Sequence, residues 1–76
     1  MRGWKVAKTM AVELWNDKTG NAIDDFDTEG EALAFVRETI SLRGERAIAT
    51  WALDVSDDAP MIRGSELVRR ALAIPA

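Results

Sequence analysis

The sequence contains no cysteine, no histidine and no tyrosine. The first absence excludes disulfides, zinc–thiolate sites and cysteine nucleophiles, and it fits a reducing compartment. The second removes the commonest metal ligand and the usual general base at neutral pH. Chemistry on this chain is left to Asp, Glu, Lys, Arg, Ser and Thr, and no Ser/Lys or Thr/Lys pair stands at a catalytic spacing. No catalytic or metal-binding residue is assigned, no cofactor is expected, and an enzyme is not the expectation. The five glycines are scattered at positions 3, 20, 30, 44 and 64, so no glycine-rich phosphate loop exists. No apolar run approaches the ~20 residues of a membrane-spanning helix. The basic start, Met1-Arg2-Gly3-Trp4-Lys5, is followed by Lys8 and Glu13, which interrupt the apolar stretch of a signal peptide. The expectation is a cytoplasmic protein with no membrane partner.

What is present is a small globular composition. The 76 residues are 47% apolar and read as one α+β domain over 1–76. Twelve of the apolar residues are alanine, which leaves 24 larger ones to build the core. A domain of this size buries a modest share of its surface and gains from association, so a homodimer is expected. Thirteen acids against ten bases give a net charge of −3, which weighs against a nucleic-acid footprint over the whole domain.

Periodicity lays out the elements. Residues 5–15 alternate, with Val6, Met10, Val12 and Leu14 on one side and Thr9, Glu13 and Trp15 on the other, the pattern of a strand. Asn16-Asp17-Lys18-Thr19-Gly20-Asn21 has no large apolar residue and reads as a four- or five-residue hairpin loop. The return strand is Ala22 to Asp27. Its apolar residues Ile23 and Phe26 are three apart, so a bulge near Asp24-Asp25 is needed to restore register. Thr28-Glu29-Gly30-Glu31 is a capping box and opens a helix over Glu29–Arg43 with Ala32, Leu33, Phe35, Val36 and Ile40 facing the core and Leu42 at the edge. Gly44 stands where a C′ glycine belongs.

Ala47 to Val55 alternates again, with Trp51, Leu53 and Val55 on the buried side, although Arg46 to Ala49 also suit a helical turn. Ser56-Asp57-Asp58-Ala59-Pro60 is a turn, Met61-Ile62-Arg63 a short return strand, and Ser65 a cap for a last helix over Glu66–Ala73 with Leu67, Ala71 and Leu72 inward. The order ββα-ββα predicts a two-layer α+β sandwich: an antiparallel sheet of two hairpins with both helices on one face.

Three groups of residues invite a functional reading, each beside a plainer one. The run Asp24-Asp25-Phe26-Asp27-Thr28-Glu29 is dense in hard oxygen ligands, but it lacks the spacing of a calcium loop and suits a solvated strand edge leading into a helix N-terminus. Asp54, Asp57 and Asp58 are explained by turn chemistry. Arg63, Arg69 and Arg70 suit an acidic partner or a phosphate backbone, but the plainer reading, a solvated polar face with a Glu66–Arg70 pair at i, i+4, weighs more. Three tryptophans are many for this length. Trp51 shares a face with Leu53 and belongs in the core. Trp4, near a terminus, and Trp15, facing away from Leu14, are candidate interface anchors.

Asp27-Thr28-Glu29-Gly30-Glu31-Ala32-Leu33-Ala34-Phe35-Val36-Arg37-Glu38, with Gly20-Asn21-Ala22-Ile23 and Trp51-Ala52-Leu53, resembles small bacterial domains of unknown function with this element order. That resemblance implies a fold and no activity. The helix opening alone, about a dozen residues, resembles HicB-type antitoxins, although the Pro-Gly-Cys turn of that family is missing. The expected function is a non-catalytic, self-associating protein-interaction module. The alternative is an antitoxin-like or small regulatory protein that binds a basic partner protein or a nucleic acid.

Overall fold

A computed structural model describes residues 12–56 and 59–74. Strand β1 (Val12–Asn16) and strand β2 (Asn21–Phe26) form the first hairpin, followed by helix α1 (Glu29–Arg43). A 3₁₀ turn, Glu45–Ile48, leads to strand β3 (Trp51–Asp54), and strand β4 (Ile62–Arg63) runs directly into helix α2 (Gly64–Leu72). The sheet order is β2-β1-β3-β4, and every pairing is antiparallel. The two hairpins therefore join through β1 and β3, which are central, while β2 and β4 are the edges. This is the expected α+β sandwich, with α1 over β1 and β2 and α2 over β3 and β4.

The hairpin loop holds four residues, and the Gly20 amide donates to the Asn16 carbonyl at 2.7 Å. Gly20 has φ +76°, the left-handed conformation its place in the loop requires. The loop is tied to the rest of the molecule: the Asp17 amide donates to the Thr50 carbonyl, and the Thr50 hydroxyl to Asn16 Oδ1. In β2 the register slips opposite Leu14/Trp15, where Asp24 and then Ala22 are the partners. The bulge thus falls on Ile23, slightly earlier than the sequence pattern places it, and both Ile23 and Phe26 reach the core.

Thr28 caps α1, its Oγ1 accepting from the Glu31 amide at 3.1 Å. The reciprocal bond of the capping box is displaced by one residue, because Glu31 Oε1 accepts from the Asp27 amide rather than from that of Thr28. At the other end Gly44 donates to the Ile40 carbonyl, but its ψ of 164° turns the chain outward instead of into a left-handed cap. The chain then makes the 3₁₀ turn, so the helical alternative for Arg46–Ala49 is the one realised and β3 begins only at Trp51.

Helix α2 starts at Gly64, before the expected Ser65 cap. Its N-cap is Arg63, and no side chain satisfies its first amides. A strand that passes straight into a helix leaves no loop residue free to turn a hydroxyl back. Leu72, expected inward, is 50% exposed because it is the last residue of the helix, and Leu42 is 75% exposed at the end of α1.

The core lies between the sheet and the two helices. Leu14, Val36, Ile48, Leu53 and Leu67 are fully buried. Trp51 is in the core, and its ring stacks on Phe35 at 6.1 Å, while Phe35 also meets Phe26 at 5.5 Å. Thr39 is the buried polar residue of α1, and its hydroxyl donates to the Phe35 carbonyl. No helix among the described residues is long and apolar enough to cross a membrane.

Candidate functional site

Strand alternation turns Leu14, Leu53 and Ile62 toward the helices, so their neighbours occupy the opposite face of the sheet. Register assembles those neighbours into two rows. One row crosses the four strands as Ala22, Trp15, Ala52 and Arg63. The next crosses three strands as Asp25, Glu13 and Asp54. Trp15 is half-buried on the central strand, and its indole N–H donates to Glu13 Oε1 at 3.2 Å. Ala52, in the row between Trp15 and Arg63, is fully buried.

Arg63 is exposed and reaches along its own face. Its guanidinium lies 3.3 Å from Asp17 Oδ2 and 3.3 Å from Met61 Sδ. The structure therefore places Trp15 and Arg63 on one face, two strands apart. Arg69 and Arg70 stand elsewhere, on the exposed side of α2. Both hold Glu66, at 2.6 Å and 2.7 Å, and Arg70 also reaches Glu29 Oε2 at 3.4 Å, which links the two helices. Hydrogen bonds from Arg69 and then Arg70 keep the Glu66 carboxyl below its ordinary value of 4.5, and the same carboxylate raises Arg70. These arginines are committed to intramolecular partners, as the solvated-face reading expects. Arg37 donates to the Ile74 carbonyl and fastens the segment that follows α2 to α1.

Trp4, Asp57 and Asp58 lie outside the described residues. Among the described residues no group of three or more Asp and Glu is arranged to hold a metal ion. The acids of the first acidic run are spread along the β2 edge and the start of α1. Asp24 and Asp27 are exposed there, with Asp24 Oδ1 accepting from the Asp25 amide at 2.8 Å.

Sequence reasoning misses the row of Asp25, Glu13 and Asp54, because these residues are far apart in the chain and only strand order brings them together. The edge position of β2 agrees with the plainer reading of the acidic run as a solvated strand edge. A signal for that edge is present in the residues: a strand with two adjacent aspartates is suited to an edge and poorly suited to a sheet interior. No protein-family model, curated protein or solved structure matches this chain.

Proposed function

We propose that this chain is a non-catalytic protein-interaction module that self-associates through the face of its sheet opposite α1 and α2. Trp15 is the observation that supports it. A large aromatic side chain stands at the centre of that face, on the middle of the sheet, while both helices pack on the other side. Tryptophan is the residue most enriched among interface anchors. The same face carries both signs of charge, Arg63 beside the row of Asp25, Glu13 and Asp54, so a two-fold contact can set one copy's arginine against the other's acids.

Sedimentation equilibrium tests the reading. The expected mass is twice the chain mass of 8.4 kDa at micromolar concentration. Trp15→Glu shifts the distribution toward monomer, because it places an unpaired charge in the contact. A wild-type protein that stays monomeric up to millimolar concentration would remove self-association. The reading of a regulator that binds a basic partner protein then gains ground, supported by the acids along β2. Binding of a nucleic acid through α2 is the weaker form of it, since Arg69 and Arg70 are already engaged with Glu66.

A further inference from the structure

We infer that Met61 is a site of reversible oxidation by hydrogen peroxide, at which Arg63 holds the oxygen of the resulting sulfoxide and releases Asp17. Met61 is the one methionine among the described residues, and it stands half-buried immediately before β4. With Val55, Ala59 and Pro60 it lines a cavity of about 260 Å³. A cavity of that size admits a molecule little larger than water.

The partner of this thioether sets it apart. Arg63 Nη2 lies 3.3 Å from Met61 Sδ, and Nη1 of the same guanidinium lies 3.3 Å from Asp17 Oδ2. A thioether sulfur is a weak acceptor, so in the reduced protein a charged donor meets a poor partner. A sulfoxide carries a strongly polar oxygen, to which a guanidinium donates far better. Arg63 therefore binds the product more strongly than the reactant, and it stabilises the oxygen as charge develops there.

Peroxide alone balances the step. A sulfur lone pair attacks one peroxide oxygen, and the S–O bond forms as the O–O bond breaks. The departing hydroxide takes the proton of the transferred hydroxyl and leaves as water. Sulfur loses an electron pair and the peroxide gains it. At 3.3 Å there is no room for an oxygen between Sδ and Nη2, so the guanidinium pivots to meet it. Both members of the Asp17 pair are exposed, and such a pair is weakly held, so it yields. Asp17 lies in the β1–β2 loop and Arg63 in the row of Trp15, so both places feel the change. The effect on the Trp15 face rests on the self-association reading, whereas the oxidation site does not.

The test treats the whole chain, isotope-labelled for NMR, with hydrogen peroxide. Peptide mass mapping is expected to place one added oxygen on Met61, and a methionine sulfoxide reductase to remove it. The Arg63 Nε–H and the amides of residues 17–20 should shift on oxidation and return on reduction. Met61→Leu should abolish those shifts. Arg63→Gln should slow oxidation of Met61 at least about threefold, the loss of one modest hydrogen bond. Met61 left unmodified by peroxide that fully oxidises N-acetylmethionine would overturn the site. Shifts that persist in Met61→Leu, or an equal oxidation rate in Arg63→Gln, would overturn the role of Arg63. Sedimentation of reduced and oxidised samples separates this inference from the module reading. A dimer weakened by oxidation supports both, and a dimer indifferent to it removes the link to the Trp15 face. A monomer in both states removes the module reading and leaves the oxidation site to be decided by the mass map.

Discussion

At the scale of single residues, the start of α1 shows how much a local motif can decide. Thr28 has an extended backbone, φ −137° and ψ 159°, which points its hydroxyl back at the Glu31 amide. Removing that acceptor strands an amide that the helix cannot satisfy, so Thr28→Ala should lower stability by about 1 kcal/mol. Paired thermal melts check this, and an unchanged melting temperature would mean that the Asp27 carboxylate takes over as cap. The cap was readable in the sequence because everything it needs lies within four residues. The hydroxyl of Thr50, donated to Asn16 Oδ1 across 34 positions, was not, because no local pattern announces it.

At the scale of elements, α2 gains order from an exposed carboxylate. Glu66 lies in its first turn and Arg69 and Arg70 in its last, an arrangement that complements the helix dipole and closes two ion pairs. The hydrogen bonds from Arg69 and Arg70 lower the Glu66 pKa in the folded protein. The folded form thus binds its proton less readily than the unfolded chain. The stabilisation is complete above the ordinary value of 4.5 and is lost as pH falls below it through the folded pKa. Glu66→Gln should accordingly remove part of the acid sensitivity of the melting temperature below that value while leaving its slope near neutrality unchanged. Equal acid profiles for the two proteins would show that the pair is too well solvated to matter, as many exposed pairs are.

The elements themselves were legible to different depths for physical reasons. Ile23 and Phe26, three apart, demanded a bulge, and the bulge is there, because both side chains must reach one core. Helix α1 is bounded by a threonine and a glycine and matches its sequence limits. The start of α2 was misplaced because Ser65 looks like a cap in isolation, whereas β4 feeds the helix directly and leaves that hydroxyl no role as one.

At the scale of the whole molecule, strand order is what the sequence did not disclose. Both hairpins are local, and their alternation shows which side of each strand is buried. Nothing in that pattern says which strand of one hairpin meets which strand of the other. The answer sits in degree of burial: β1 carries Val12 and Leu14 at full depth, while β2 offers half-exposed Ile23 and Phe26 among aspartates. The candidate face inherits that uncertainty, since Trp15 was identified as outward-facing but its row with Arg63 depends on β1 pairing with β3. Leu14 is the residue on which both hairpins converge, paired with Leu53 and fully buried. Leu14→Ala should cost about 2–5 kcal/mol, a large share of the total for a domain of this size. Urea denaturation should show a lower midpoint with an unchanged slope. A shift below about 1 kcal/mol would mean that the sheet closes over the vacancy.

The central position of β1 also sets a timetable. The hairpin of β1 and β2 and the helix after it leave the ribosome first. The other side of β1 waits for β3, which begins at Trp51, the partner of Asn16 35 residues earlier. At ~5–20 residues per second, that interval is on the order of 2–7 s. Throughout it the side of β1 that pairs with β3 stands unpaired, and β1 is the more apolar strand of the hairpin. Translation speed between α1 and β3 therefore bears on how much of this protein is lost to aggregation before its sheet is complete.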